Sequence, residues 1–174
     1  MRKALYILGQ LNDSDAEWLA SHGTRRRLAD GEEIVREGRA IEALFITLGG
    51  RFRVTLCDGQ EVGRLSAGEV VGEISFVDLS PPTATVAAIG EASVLAMAKT
   101  ALQNHLAEDD GFAARFYRAL AISLADRLRE ATRQLEHTAT TDPDSADELD
   151  IAVLDTVSQA GQRFTRLLRT LAQQ

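Results

Sequence analysis

Cysteine, proline and aromatic residues are all scarce in this chain: one Cys, three Pro and 5% aromatics in 174 residues. With Cys57 alone, an internal disulfide is excluded, and a reducing cytoplasm is the expected compartment. A lone thiol at a strand end is expected to be a small buried apolar residue rather than a nucleophile. The three histidines, His22, His105 and His137, lie far apart, so no metal-ligand spacing exists and no metal or resident cofactor is expected. No run of about 18 apolar residues is present, which argues against a membrane-spanning helix. The start, MRKALYILGQLNDSD, has a basic tip and a short apolar run but lacks the cleavage site of a secretory signal. Positive charge is also short, with 19 Lys and Arg against 26 Asp and Glu and a net charge of −7. A sequence-independent grip on nucleic acid needs a basic face, so direct DNA binding is not expected. The one basic run, Arg25-Arg26-Arg27, alternates faces if it is a strand and reads as a solvated edge. No nucleophile–base pairing or nucleotide-hydrolysis loop is visible, so the chain is not expected to be an enzyme.

What is present falls into three stretches. Residues 12–22 predict a short helix, capped by Asn12 or by a Ser14–Glu17 box, stopped at Gly23 and anchored by Trp18 and Leu19. From Thr24 to about Met97, short apolar runs are broken by Ala29-Asp30-Gly31, Arg36-Glu37-Gly38, Gly49-Gly50, Asp58-Gly59 and Ser66-Ala67-Gly68. Many short strands at this spacing predict a β-sandwich or barrel. Asp58-Gly59 between RFRVTLC and QEVGRL is a strong hairpin signal.

From Lys99 the apolar period changes to that of helices. Leu102 and Leu106 mark a short helix ending near Asp109-Asp110-Gly111. Tyr117, Leu120, Leu124, Leu128, Ala131 and Leu135 then mark a long amphipathic helix over 112–136. Residues 138–146, with Pro143, read as a polar linker. The last segment, 147–174, carries a seam of Leu154, Val157, Gly161, Phe164, Leu168 and Leu171. Asp147, Glu148 and Asp150 at its start and Arg163, Arg166 and Arg169 near its end suit the helix dipole. Such a helix is not stable alone and must dock: on the long helix, on a second subunit or on another protein.

Residues 68–88, GEVVGEISFVDLSPPTATVAA, are the most informative stretch. A nucleotide phosphate needs a concave set of backbone N–H groups. Gly72 permits close approach, and a helical turn can start at Glu73. A carboxylate there would repel phosphate and is better used on a sugar hydroxyl, or else on free N–H groups of the turn itself.

This stretch resembles the phosphate-binding cassette of the cyclic nucleotide-binding domain family. Gly72, Glu73, Ile74 and Ser75 match the front of that pattern, and Pro81, Thr83, Ala84, Thr85 and Val86 match the back. The resemblance extends over about residues 11–137. It implies an α+β fold: an antiparallel β-roll, jelly-roll-like, with a short N-terminal helix, a long C-terminal helix and here an extra terminal helix. It further implies a regulatory module with a cyclic nucleotide ligand, cyclic AMP or cyclic GMP. The ligand would lie on Gly72, Glu73, Ile74, Ser75, Pro82, Thr83, Ala84 and Thr85, with Glu73 accepting from the ribose 2′-OH. In this family the long helix often pairs with its twin, so a homodimer is expected, and the terminal helix offers a surface to a protein partner.

One position departs from the pattern. Pro82 stands where the family has the arginine that pairs with the cyclic phosphate, and it brings neither charge nor N–H. Losing a bidentate arginine–phosphate pair costs about 2–5 kcal/mol, on the order of 30- to 3000-fold in affinity. Weak binding is therefore expected, unless Arg51, Arg53 or Arg64 on neighbouring strands turns inward. The competing expectation is a degenerate module of the same fold, used for dimerisation or docking. A DNA-binding activator of the catabolite type would need a helix-turn-helix, which the single helix beyond the linker cannot form.

Overall fold

The computed structural model describes residues 4–139 and 151–172, and the side chains of residues 7–133 and 159–172. The N-terminal apolar run forms α1 (Ala4–Gln10), an element the sequence reading does not anticipate. α2 (Asp13–His22) follows, capped by Asn12, whose reciprocal partner is Asp15 rather than the expected Ser14–Glu17 box. Ser14 instead donates to the Asn12 side chain at 2.8 Å. Gly23 ends α2 by donating to the Leu19 carbonyl at 2.9 Å.

The strands are β1 (Thr24–Leu28), β2 (Glu33–Val35), β3 (Ala43–Thr55), β4 (Glu61–Leu65), β5 (Val70–Val71) and β6 (Thr85–Ala98). All pairings are antiparallel, in the order β1-β6-β3-β4, with β2 on β6 and β5 on β3. β1 is the outer strand, and Arg25, Arg26 and Arg27 are exposed on it as expected. The Asp58-Gly59 hairpin joins β3 to β4, with Gly59 at φ 84°. Cys57 corrects the expectation of a buried thiol: it lies exposed where β3 gives way to this turn.

The long strands β3 and β6 show how a period of two divides the core. Leu44, Ile46, Leu48, Leu95 and Met97 face the helices and join Leu19, Phe76, Leu102, Phe112, Phe116 and Leu120. Phe45, Phe52, Val86, Ala88 and Val94 face the barrel interior with Leu28, Val35 and Val71. β3 changes register around Gly49-Gly50. Gly50 sits at φ 85°, and a Cβ there would lie 2.6 Å from that of Ala92. Beyond this bend Arg51 and Arg53 are exposed while Phe52 is fully buried.

Three helices follow or interrupt the sheet: α3 (Glu73–Val77), α4 (Lys99–Glu108) and α5 (Asp110–Ala139). The boundary between α4 and α5 is sharp because Asp109 accepts from the Phe112 N–H at 2.8 Å and caps the second helix. α5 therefore starts at 110, two residues before its apolar stripe. Its buried face is Phe112, Phe116, Ala119 and Leu120, and Arg115 grips buried Asp15 of α2 through two bonds of 2.7 and 2.8 Å. Tyr117 and Leu128 point outward instead, at 48% and 69% exposure, with Leu124 half-buried between them.

α6 (Ile151–Ala172) docks in cis on the N-terminal helices. Arg163 donates to the Leu8 and Gly9 carbonyls at the end of α1 and to Asp13, and Arg166 donates to Asp13 at 2.7 Å. The buried line is Ala160, Leu167 and Leu171, with Phe164 packed beside it. Of the expected seam, Leu171 is buried and Phe164 and Leu168 pack against the core, while Ala160 and Leu167 are buried residues the expected seam did not include. The linker residues 140–146, together with Asp147, Glu148 and Asp150 and the side chains of Leu135, Leu154 and Val157, lie outside the described residues.

Candidate functional site

The cassette begins where β5 ends. Val70 and Val71 are buried, and the chain must turn at once into α3. Gly72 makes the turn at φ 92°, a region costly for any residue with a Cβ; such a Cβ would also lie 2.5 Å from Ile41 Cδ1. The first helical residue is then Glu73, as expected, and it is 1% exposed. At the other end of α3, Lys99 donates its Nζ to the Ser75 carbonyl at 2.9 Å. Phe76 packs edge-on against Phe116 of α5, with centroids 6.0 Å apart. α3 is thus held between the sheet and the long helix.

The return segment is fixed by backbone contacts. Gly38 N–H donates to the Pro82 carbonyl at 2.8 Å, and Glu37 N–H donates to Thr85 Oγ1 at 3.1 Å. Pro82 is buried. Between the two halves lies a cavity of about 180 Å3, lined by Gly72, Glu73, Ile74, Ser75, Pro82, Thr83 and Ala84. Seven of the eight residues expected at the site therefore come together here. Thr85 does not line the cavity; its hydroxyl is committed to the β2 side. Val35, Val54, Leu65, Val71 and Val86 supply an apolar floor. A wider trough at Gly49-Gly50 and Gly90 is open to solvent and mixes Arg25 and Arg27 with Asp30, Glu32 and Glu91, so it does not enclose a ligand of either charge.

The residue that sequence reasoning missed is Arg127. It projects from α5 into the same cavity, pairs through Nη1 with Glu73 Oε1, and donates Nη2 to the Val70 carbonyl at 2.5 Å. Its side chain is one-third exposed while that of Glu73 is almost wholly buried. Burial pushes the Glu73 carboxyl above the ordinary glutamate range, and the Arg127 charge opposes that shift without reversing it. The arginines suggested as substitutes for the missing cassette arginine do not serve. Arg51 and Arg53 are exposed, and Arg64 is exposed and bound to Glu61 at 2.6 Å. None of the three lines the cavity, and among the described residues Arg127 is the cation that does. A local signal for it is weak, since an arginine on an amphipathic helix reads as solvated.

Chemically, the site offers one carboxylate, one guanidinium, the Ser75 and Thr83 side chains, and an apolar wall. It can accept a hydroxyl proton and pair an anion, but the two charged groups are at present satisfied by each other.

Comparison with known proteins agrees with this geometry. Residues 25–109 match the family model described as the cyclic nucleotide-binding domain. A cGMP-dependent protein kinase of Eimeria tenella is 29% identical over 89 residues, which are 51% of this chain but only 9% of the kinase. The chain thus spans about a tenth of that relative. A cyclic nucleotide-binding domain from Methylobacillus flagellatus superposes with a TM-score of 0.71 at 20% identity, covering 85% of each chain. The catabolite activator protein of Thermus thermophilus superposes with a TM-score of 0.62 at 21% identity, covering 97% of this chain and 87% of that one. At these identities the two structures carry the fold: α+β, with the antiparallel jelly-roll-like arrangement expected from the sequence. The family match over 25–109 takes in the cassette at 72–86, so it is this part of the chain that matches the cyclic nucleotide-binding domain family.

Proposed function

We propose that this protein is a regulatory module that senses a small anionic nucleotide, cyclic AMP or cyclic GMP, in the cassette cavity and signals through its C-terminal helices. The ligand contacts are Gly72, Glu73, Ile74, Ser75, Pro82, Thr83 and Ala84, with Thr85 bracing the segment from outside. One observation carries the reading: the cavity wall is completed by α5, whose Arg127 is tied to the buried carboxylate of the cassette. The cavity, about 180 Å3, is smaller than the roughly 300–1,000 Å3 of ordinary small-molecule sites. A nucleotide must therefore part Glu73 from Arg127, and parting them shifts α5. Ligand and helix position are then two faces of one equilibrium.

The sensing unit runs from about residue 11 to the end of α5 at Ala139, two residues beyond the expected boundary at 137, and α6 (Ile151–Ala172), within the expected terminal segment 147–174, is the output helix. It works in the cytoplasm as a homodimer held by α5, without catalysis and without direct DNA contact. The exposed Tyr117 and Leu128 supply the apolar surface for a second copy.

A second reading has its own support. Pro82 removes the usual cation, and Glu73 is already satisfied, so the same fold can serve as a dimerisation or docking module with no nucleotide. A calorimetric titration separates the two. The sensor reading expects one site per chain with a Kd in the micromolar range for cyclic AMP or cyclic GMP, and a gain of about tenfold or more in Pro82→Arg. Absence of binding by wild type and by Pro82→Arg up to millimolar nucleotide leaves only the docking module.

A further inference from the structure

The site as it stands contains a charge problem. A cyclic phosphate carries a full negative charge, and the segment that would face it offers Pro82, Thr83 and Ala84, none of them cationic. A phosphate placed in an apolar cavity beside the buried Glu73 carboxylate would be unpaired and repelled. The strand arginines Arg51, Arg53 and Arg64 do not reach it. Arg127 does line the cavity together with Pro82, Thr83 and Ala84, and its long side chain, one-third exposed, has room to change partner.

We propose that Arg127 is the phosphate-binding residue of this domain, supplied by α5 in place of the cassette arginine that Pro82 removes. This rests on the nucleotide-sensing reading above and adds to it the identity of the cation. On binding, the guanidinium exchanges the Glu73 carboxylate and the Val70 carbonyl for the phosphate oxygens. Its planar fork suits such a bidentate contact, which an ammonium or a hydroxyl does not reproduce. Glu73, released from Arg127, turns to the ribose hydroxyl and so keeps a partner in its buried position.

The exchange also explains why a cation on a helix is useful. A cassette arginine would hold the phosphate without reference to α5. Arg127 holds it from the element that must move, so every bound phosphate pulls on α5 at that position. The cost is affinity, because the ligand must first displace an ion pair that already exists.

Titration calorimetry on the full chain tests the assignment, with cyclic AMP and adenosine as probes that differ in the phosphate. Arg127→Gln should lower affinity for cyclic AMP at least tenfold while changing that for adenosine less than about threefold. Arg127→Lys should recover part of the loss. Adding Pro82→Arg to Arg127→Gln should restore cyclic AMP binding to at least the wild-type level, which also shows that the variant folds. Equal cyclic AMP affinity in wild type and Arg127→Gln overturns the assignment, and so does an equal loss for both probes, which marks a purely structural residue. If cyclic AMP binds neither wild type nor Pro82→Arg, the nucleotide reading itself falls and this assignment falls with it.

Discussion

A carboxylate at 1% exposure is expensive unless something meets it, and Glu73 is met by Arg127 from across the cavity. The balance leaves its proton affinity raised by burial, against the pull of that cation. The sign has a measurable consequence. Between the ordinary glutamate value and the raised folded one, the native state holds more protons than the unfolded chain, so Glu73 lowers stability as pH rises through that window. Glu73→Gln removes the titration. The stability of the Gln variant relative to wild type should therefore improve in urea melts as pH rises above the ordinary glutamate value and level off beyond the raised one, and a pH-independent difference contradicts this. The cassette residues Gly72 to Ser75 are legible in sequence because their chemistry is local: a glycine-permitted turn followed at once by a carboxylate. Arg127 is not, because it lies 54 residues further on, and only packing of α5 across the sheet brings the two together. Cys57 is misread for a related reason: its neighbours look like a strand, yet the Asp58-Gly59 turn has already lifted it into solvent.

At the scale of elements, α6 is the addition to the β-roll and its long helix. Its apolar arc is wider than one seam, so sequence alone does not say which line is central. α1 and α2 decide, choosing Ala160, Leu167 and Leu171, and α1 is itself invisible as a helix until α6 gives it a partner. Arg163 closes the last carbonyls of α1, a favourable place for a cation. The Arg163 and Arg166 guanidiniums hold the Asp13 carboxyl below the ordinary aspartate range, so this clasp contributes in full above that range and is lost as pH falls below it through the lowered value. Leu167→Ala should cost about 2–4 kcal/mol if α6 is a permanent part of the core, read from denaturant midpoints. A conditional output helix predicts a different pattern in amide exchange. Its protection should lie below that of β3 and β6 and should change when the nucleotide is added. Uniform, ligand-independent protection equal to that of the strands would remove α6 from the signalling role.

At the scale of the whole molecule, the barrel was the most legible part, since turn signals and a period of two are enough to divide β3 and β6 between two cores. The surface of α5 is harder to read, because one apolar stripe feeds two faces. Phe112, Phe116 and Leu120 are used by the barrel side, whereas Tyr117 and Leu128 are left over. The leftover face predicts a homodimer. Leu128→Glu with Leu135→Glu should give monomers in sedimentation at tens of micromolar, and a wild type that is monomeric there contradicts it. If the ligand site and the long helix share one ion pair, hydrogen exchange of the full chain with and without saturating cyclic nucleotide reads that coupling in a single experiment. Amide protection should change together in residues 72–77 and in residues 124–131 of α5. A nucleotide that alters the cassette while leaving α5 unchanged would contradict it.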